Sequence, residues 1–410
     1  MTSSFPRAFA IVLVAGAIAA CSSGGASDAG RRGVGVEPPM GAVVDEPAPR
    51  AKGPASEAST SPQIIRYDQA AVRAAGLSQT GPNKSRITPA EAGVRIEEAQ
   101  DPRIRAILPD ARCEKPSRVD SKGRQPRCVV SLRRASPAMG ADAGGSLVVV
   151  SLIDWSTTTW TVPDMALVRA LQPLATEKDP SVIVVSDARR EVLLTVTGQI
   201  FRYDLDSGRQ TAQYEGPGGR IGALAASDDG TRIVVIAGGA AHLLDGQMRA
   251  AGKLAVEGEA VAIAVSADGS RAAVGTSIGG VFVFDLERGS SPRAIPVSTQ
   301  AIAAMEFAAA GLVVAGRDGM LRVLDPASGR EVGRTNVGKP LSRLAVAPDG
   351  KRAATTARDF TIRVHALPSG KVLESTDWHR ANFAGFAWGA RDTILAIDND
   401  GELAAWELGR

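Results

Sequence analysis

A short β-rich run returns along this chain every 40 or 41 residues and ends on an acidic residue or a turn. The seven runs are Trp160–Pro163, Phe201–Asp204, His242–Asp245, Phe282–Asp285, Leu321–Asp325, Ile362–Ala366 and Leu403–Glu407. A fixed period of this length with strand-like residues is typical of a β-propeller, in which each repeat forms one four-stranded blade. We therefore predict an all-β fold, a seven-bladed β-propeller with four-stranded antiparallel blades, over residues 128–410.

The residues between these runs support the same prediction. Apolar residues alternate with others in segments such as Val261 to Val265, which is the period-2 pattern of a half-buried strand. Turn signals follow these segments, as at Asp229-Gly230, Asp268-Gly269 and Asp349-Gly350. Gly and Asp-Gly supply the positive φ that tight hairpins require.

Several motifs resemble the repeats of WD40, YVTN and PQQ-type propellers. Asp204–Arg209 and Asp325–Arg330 match the turn D-x-x-[ST]-G-[KR] of these families. The last repeat looks most like WD40, with Trp378-His379, Asp400-Gly401 and Trp406-Glu407 in the corresponding places. Most repeats lack both the Gly-His and the Trp of that family. The resemblance implies a propeller fold and carries little information about activity.

One WD40-like feature recurs in the last three repeats. Asp318, Asp359 and Asp400 follow one another at 41-residue intervals and match the Asp that precedes the third strand in WD40 repeats. The resemblance implies that each of them is a structural residue that stabilises its turn by hydrogen bonds within the blade.

The N-terminus has the features of an export signal. Arg7 precedes the uncharged run Ala8–Ala20, which is too short to span a bilayer comfortably. The run ends in Ile18-Ala19-Ala20-Cys21, which resembles the lipobox of bacterial lipoproteins, in which the Cys becomes the lipid-modified first residue. We expect residues 1–20 to be a lipoprotein signal peptide and Cys21 to be the lipidation site. The alternatives are an ordinary signal peptide with a chance Cys, or an uncleaved anchor.

Residues 21–61 are rich in Gly, Ala, Ser and Pro, which predicts a disordered tether between the lipid and the folded part. The other two cysteines of the chain are Cys113 and Cys128. In an exported protein an even leftover pair predicts a disulfide.

Ring closure requires one more strand, because the last repeat stops just after its third strand. We expect residues 62–127 to supply it, from upstream of Cys128 and within Val94–Leu108. The Cys113–Cys128 bridge would then join the segment after this closing strand to the first strand of the first blade.

The charge of the chain does not favour a nucleic-acid partner, because the formal net charge is only +3. The stretch from Asp101 to Arg134 is locally basic, with ten Lys or Arg and four Asp or Glu. It is either a solvated loop or a patch for an anionic partner.

Catalytic and metal-binding motifs give little support to an enzyme. The three histidines, His242, His365 and His379, have no metal-ligand spacing. Gly275–Gly279 matches G-x-S-x-G by letter, but a nucleophile elbow needs a strand-to-helix turn and this segment precedes another strand. Asp398–Glu402 resembles only the start of a calcium loop. We predict no catalytic residue, no metal and no cofactor.

These observations lead to two hypotheses. The first is a lipid-anchored cell-envelope propeller that acts as a scaffold for unknown protein partners, with a membrane contact through its lipid, either as a monomer or within a larger complex. It would face the periplasm from the outer membrane or lie at the cell surface. The alternative is an envelope propeller enzyme, lactonase-like or quinone-dependent, with its site at the central channel.

Overall fold

The computed structural model describes residues 113–132, 135–142, 145–152, 157–171, 180–186, 189–289 and 291–408. Within these ranges the regular secondary structure consists of strands alone. The 28 strands form seven sheets of four. In each sheet neighbouring strands are antiparallel. The predicted seven-bladed β-propeller is confirmed.

The strands are numbered along the chain, and each sheet is one blade. Blade 1 contains β2 (Ala135–Ala141), β3 (Leu147–Leu152), β4 (Thr157–Thr161) and β5 (Leu167–Ala170), and blade 2 contains β6 (Val182–Ser186), β7 (Glu191–Val196), β8 (Gln199–Asp204) and β9 (Gln210–Glu215). Blade 3 contains β10 (Ile221–Ala226), β11 (Arg232–Ala237), β12 (Ala240–Asp245) and β13 (Ala250–Leu254), and blade 4 contains β14 (Ala260–Val265), β15 (Arg271–Thr276), β16 (Gly280–Asp285) and β17 (Arg293–Pro296). Blade 5 contains β18 (Ile302–Ala308), β19 (Gly311–Gly316), β20 (Met320–Leu324) and β21 (Glu331–Asn336), and blade 6 contains β22 (Leu341–Val346), β23 (Arg352–Ala357), β24 (Ile362–Ala366) and β25 (Val372–Thr376). Blade 7 contains β26 (Phe383–Gly389), β27 (Thr393–Asp398), β28 (Glu402–Glu407) and, from the start of the described chain, β1 (Cys128–Ser131).

Burial decreases from the centre of the ring outward. In β14, a first strand, five of six residues are buried, whereas in β13, an outer strand, four of five are exposed. The core lies between neighbouring blades: Ala223 and Ile236 of blade 3, for example, belong to the same apolar cluster as Ile263 and Val274 of blade 4. Because each blade is covered on both faces, the inner strands are more buried than the predicted half-buried pattern.

The ring is closed by an N-terminal strand, as expected, but at a different position. β1 pairs with β28 in the register Cys128↔Ala405 to Ser131↔Glu402 and fills the outer place of blade 7. The prediction that this strand comes from upstream of Cys128 is therefore wrong, and blade 1 begins with β2 instead of with Cys128. Val94–Leu108 lies outside the described residues.

A bulge recurs near the start of the first strand in five consecutive blades. The register shifts at Ile221/Ala223, Ala260/Ala262, Ile302/Ala304, Leu341/Arg343 and Phe383/Gly385. A bulge re-aims the side chains that follow it. The shared bulge makes the positions after it equivalent from blade to blade.

Candidate functional site: a basic rim on one face of the ring

The topology gives the ring two faces with different loops. Because the four strands of a blade run alternately up and down, the turns between second and third strands share one face with the connections from blade to blade. We call this the top face. The turns between first and second strands, and between third and fourth strands, form the bottom face. Loops on a rigid scaffold are the usual place for binding residues.

Four cationic side chains lie on the top face of blades 5 and 6 and on the connections that follow them. We call this set the basic rim: Arg317, Lys339, Arg358 and Arg380. Three of them are exposed and Arg317 is half-buried.

Backbone contacts place three members of the basic rim, Arg317, Lys339 and Arg358, on neighbouring segments. A Cβ on Gly319, in the turn that contains Arg317, would lie 3.1 Å from the backbone nitrogen of Lys339. The backbone N–H of Arg358 donates to the carbonyl of Pro340, which follows Lys339, at 3.3 Å. The connection that carries Lys339 therefore lies between the turns that carry Arg317 and Arg358.

The acidic residues of these two turns are already paired. Asp318 accepts from the backbone N–H of Met320 at 3.0 Å and forms an ion pair with Arg322 at 2.8 Å. Asp359 forms the equivalent ion pair with Arg363 at 2.6 Å. Burial acts to raise the pKa of both carboxyl groups, but the hydrogen bonds, foremost those from these arginines, lower it. The two carboxylates are therefore charged at neutral pH and are paired with arginines of the third strands.

A fifth cation, an arginine, is buried below the basic rim. Arg343, on β22, is only 7% exposed, and its Nη2 donates to the carbonyls of Phe383 at 3.4 Å and Ala384 at 3.0 Å in blade 7. Burial, followed by the positive charge of Arg317, lowers the pKa of Arg343 to about 10. Burial and then Arg358 lower the pKa of Arg317. Arg343, Arg317 and Arg358 are thus a series of like charges that act on one another.

A buried carboxyl group lies one blade earlier. Glu306, on β18, is 3% exposed, and its Oε2 accepts from the backbone N–H of Val346 at 3.0 Å. Its Oε1 has no hydrogen-bond partner among the described residues. Burial raises the pKa of Glu306 well above the usual range, against the smaller effect of the Val346 hydrogen bond. Burial therefore favours the neutral form of Glu306.

The rest of the top face differs in character. Ile278, in the turn of blade 4, is 55% exposed and is the most exposed large apolar residue described. Glu257 and Glu259, both exposed, lie on the connection from blade 3 to blade 4. The backbone carbonyl of Glu259 accepts from the backbone N–H of Ser277, so this connection touches the turn of Ile278. From the connection between blades 3 and 4 to the turn of blade 6, the face therefore changes from acidic to apolar to basic.

Asp400, the third predicted turn residue, does not hold its turn in the way that Asp318 and Asp359 do. In blade 7 the carboxylate that holds the turn is Asp398, whose Oδ1 accepts from the backbone N–H groups of Asp400 and Glu402 at 3.1 Å each. Oδ2 of Asp398 lies 3.0 Å from Nδ1 of the buried His379. Asp400 itself is exposed. The sequence thus located the turn but selected the residue two positions too late.

Cys113 and Cys128 form the disulfide that the cysteine count predicted, with their Cα atoms 5.3 Å apart. Because Cys128 begins β1, the bridge attaches the preceding segment directly to the closing strand. Glu114 pairs with Val129 across the same edge. Cys21 lies outside the described residues, so its lipidation stays a prediction.

The segment between the two cysteines is bound to blades 6 and 7. The guanidinium of Arg118 lies 3.8 Å from the ring centroid of Trp378, whose Nε1 donates to the carbonyl of Arg118 at 3.0 Å. Arg118 also forms an ion pair with Glu402 at 2.7 Å. Arg124 binds Asp120 at 2.9 Å and the carbonyl of Ser375. Arginines of the locally basic stretch therefore fasten the N-terminal segment to the ring.

The remaining histidines and motifs lie in ordinary strand and turn positions. His365, buried in β24, has its Nε2 2.9 Å from Oγ1 of Thr355, and His242 is on β12. Gly275–Gly279 runs from the end of β15 into the turn before β16, which is a strand-turn-strand unit. Among the described residues, no group of three or more His, Cys, Asp or Glu is arranged to hold a metal ion. In this part of the chain no helix is long and apolar enough to cross a membrane.

Comparison with known proteins identifies the fold. No protein-family model and no curated protein matches the sequence. A chain of the crystal structure of the mitotic checkpoint complex is 16% identical with a TM-score of 0.61, covering 70% of this chain and 96% of that chain. The β-propeller domain of Cps50 (Swd1) from Myceliophteria thermophila is 14% identical with a TM-score of 0.61, covering 70% of this chain and 99% of that chain. At these identities the similarity shows the β-propeller fold alone.

Proposed function

We propose that this chain is a scaffold that binds protein partners through the top face of its propeller, and that a lipid on Cys21 anchors it in the cell envelope. The observation that carries the first part is the composition of the top face. There the basic rim and the exposed Ile278 stand on the turns of a rigid ring. Arg is enriched at protein interfaces, and a polar group beside an exposed apolar anchor is the usual composition of a contact surface.

The structural neighbours support this function by analogy. One of them was solved as part of a complex, and the ring topology that it shares with this chain offers a broad face of loops to a partner. The enzyme hypothesis requires acidic or His side chains that converge at the channel mouth. On the top face, the charged groups that lie close together are cations of the basic rim, which favours a binding role for this face.

The anchor is supported by the sequence. The uncharged run before Ile18-Ala19-Ala20-Cys21 fits an export signal with a lipobox, and residues 21–61 have the composition of a flexible tether. Such a tether would hold the propeller near the membrane and leave its top face accessible to partners in the envelope.

The experiment uses a photo-crosslinking amino acid in the full chain, expressed in its native host. Replacement of Ile278 or Arg358 places the probe on the top face. Replacement of Arg330 or Lys371, in the bottom-face turns of blades 5 and 6, gives the matched controls. We expect the two top-face positions to crosslink the same protein, identified by mass spectrometry, and the bottom-face positions to crosslink it far less. Equal crosslinking from both faces would contradict the proposal.

A further inference from the structure

Among the described residues, none of the four cations of the basic rim forms an ion pair. The two carboxylates closest in sequence, Asp318 and Asp359, are paired with Arg322 and Arg363. Like charges repel, and the repulsion grows when they are partly removed from water. Arg317 is half-buried between the buried Arg343 and the exposed Arg358. A fold that keeps such groups together gains free energy when an anion binds them.

The inner-strand position of Arg343 shows that this charge is specific to one blade. The residues that follow the shared bulge in the equivalent place of neighbouring blades are Ala223, Ala262, Ala304 and Gly385. Arg343 is the one large charged side chain of this set. Small residues fill the position elsewhere, so the ring does not need an arginine for its packing.

The distribution of charge around the face indicates the kind of anion. Glu257 and Glu259 stand on the connection just before the turn of Ile278, so a long polyanion laid across the whole face would meet negative charge. A nucleic-acid backbone needs a continuous basic track. The basic rim extends only over blades 5 and 6 and the connection to blade 7, which suits a short anionic segment.

Ile278 adds an apolar contact next to the basic rim. Its side chain lies over Gly258, where an added Cβ would stand 3.1 Å from its Cδ1. From this turn the face continues to the uncharged connection Ser298–Ala301, whose last carbonyl accepts from the backbone N–H of Arg317 at 3.0 Å. An apolar side chain bound at Ile278 would thus be followed by a short neutral spacer and then by carboxylates at Arg317 and Arg358. Guanidinium groups bind carboxylates through paired hydrogen bonds.

We propose that the basic rim binds an extended acidic segment of a protein partner, with an apolar residue on Ile278 and carboxylates on Arg317, Lys339 and Arg358. This inference rests on the proposed function, because it names the chemistry of the partner at the same face. The order of the blades then places the apolar residue of the bound segment on blade 4 and its carboxylates on blades 5 and 6.

The test measures binding of a fluorescent peptide to the purified full chain by anisotropy. The peptide contains one isoleucine, a two-residue Gly-Ser spacer and six glutamates, and its control has glutamines in place of the glutamates. The variant is the double substitution Arg317→Gln with Arg358→Gln. Its matched control is Arg330→Gln with Lys371→Gln, which removes the same charge from the bottom face of the same blades.

We expect the acidic peptide to bind and the glutamine peptide not to bind. The top-face double variant should raise the dissociation constant about tenfold or more, since it removes two charge-assisted hydrogen-bonding groups. The bottom-face double variant should leave it within about twofold, apart from the screened long-range effect of net charge. Ile278→Ser should weaken binding of the peptide that contains isoleucine more than binding of a peptide with serine in place of that isoleucine.

Three results would overturn the inference. They are equal weakening by the top-face and bottom-face double variants, displacement of the peptide by millimolar inorganic phosphate, and tighter binding of a single-stranded oligonucleotide than of the peptide. If the acidic peptide does not bind while the crosslinks from Ile278 and Arg358 still capture one protein, the acidic-segment inference is wrong and the proposed function stands. If those crosslinks fail as well, both are wrong.

Discussion

At the residue scale, the informative positions are those where one blade departs from its neighbours. Glu306 is the clearest. The equivalent residues of the neighbouring inner strands, set by the shared bulge and register, are Ala225, Ala264, Ala345 and Ala387. A carboxyl group in this position is buried between blades 5 and 6, and one of its oxygens has no hydrogen-bond partner in the described part of the chain. It therefore couples the stability of the ring to pH.

We expect wild-type stability to fall with rising pH because of Glu306. Its pKa in the folded state is raised, so the folded protein holds this proton more tightly than the unfolded chain does. The stabilisation is complete below the unfolded pKa, about 4.3, and is lost as pH rises through the folded pKa. Glu306→Gln removes this titration. We expect the free energy of unfolding of the variant, relative to that of wild type, to rise by at least about 1 kcal/mol between about pH 5 and 9. Denaturant unfolding at several pH values in this range measures the difference.

The control for this prediction is Glu257→Gln, the same substitution at an exposed position of the top face. It should leave the pH dependence unchanged. Parallel stability curves for wild type and Glu306→Gln would show that Glu306 is ionised without cost in the folded protein.

A second residue-scale departure is in blade 7. In blade 6 the buried pair Thr355 and His365 is joined by a 2.9 Å hydrogen bond. The residues 41 positions later are Ala396 and Trp406. With alanine there, the buried Nε1 of Trp406 has no hydrogen-bond partner among the described residues. A buried donor without a partner costs free energy.

Ala396→Ser should therefore stabilise the protein. The hydroxyl would accept from Trp406 Nε1, and the free energy of unfolding should rise by about 1 kcal/mol. Thermal or denaturant unfolding measures the gain. In a Trp406→Phe background the same serine has no donor to accept from, so the gain should vanish. A gain of equal size in both backgrounds would refute the explanation.

At the scale of elements, the sequence predicted the third strands best. All seven repeat runs overlap the third strand of a blade: β4, β8, β12, β16, β20, β24 and β28. The reason is local chemistry. Asp204, for example, ends β8 and accepts from both the backbone N–H and the hydroxyl of Ser207, which closes the turn. A strand that ends in such a turn leaves a pattern that one repeat carries by itself.

The first and last strands of the ring were harder to predict because they depend on distant partners. β2 reads Ala-Ser-Pro-Ala-Met-Gly-Ala and shows no alternation of large apolar residues. Gly140 is required there because a Cβ would lie 2.8 Å from the carbonyl of Ile183 in blade 2. Cys128–Ser131 reads like an inner strand instead, since β28 and Glu114 cover it from two sides. The basic rim was missed for a similar reason, although Arg317 and Arg358 precede the predicted Asp318 and Asp359 at the same 41-residue interval.

The disulfide is the element-scale feature that secures the closing strand. Cys113 and Cys128 close a loop of 15 residues, which in the chain-entropy model stabilises the folded state by about 3 kcal/mol. We expect Cys113→Ser with Cys128→Ser to lower the free energy of unfolding by about this amount. Denaturant unfolding with and without a reductant measures it. The reductant should destabilise wild type and leave the double variant unchanged, and equal stability of the oxidised wild type and the double variant would contradict the prediction.

At the scale of the whole molecule, the proposed lipid on Cys21 would attach the ring to a membrane. We expect Cys21→Ser to abolish labelling by radioactive palmitate and to release the protein from the membrane fraction of its host. Two or more acyl chains anchor a protein stably, whereas one binds only marginally. Ser23→Ala is the neighbouring control and should remain labelled and membrane-bound. Unchanged membrane retention of Cys21→Ser would contradict the lipoprotein prediction and favour an uncleaved anchor.

Closure of the ring decides which part of the chain can fold by itself. β1 covers the edge of β28, and the innermost strands of blades 7 and 1, β26 and β2, pack against each other. A chain that begins at Cys113 keeps β1, the disulfide and the ion pair of Arg118 with Glu402. A chain that begins at Leu132 loses all three and leaves the apolar strand β28 as an open edge, which invites association with other chains.

We therefore expect the chain from Cys113 to be monomeric and to melt within a few degrees of the full chain. The chain from Leu132 should aggregate or melt far lower, and a chain from Gln125, with β1 but without the disulfide, should fall between the two. Size-exclusion chromatography with light scattering and thermal unfolding distinguish these cases. If the closing strand came from Val94–Leu108 instead, the chain from Cys113 would lack it and would fail like the shortest one. A soluble, monomeric and equally stable chain from Leu132 would show that the ring does not need its N-terminal strand.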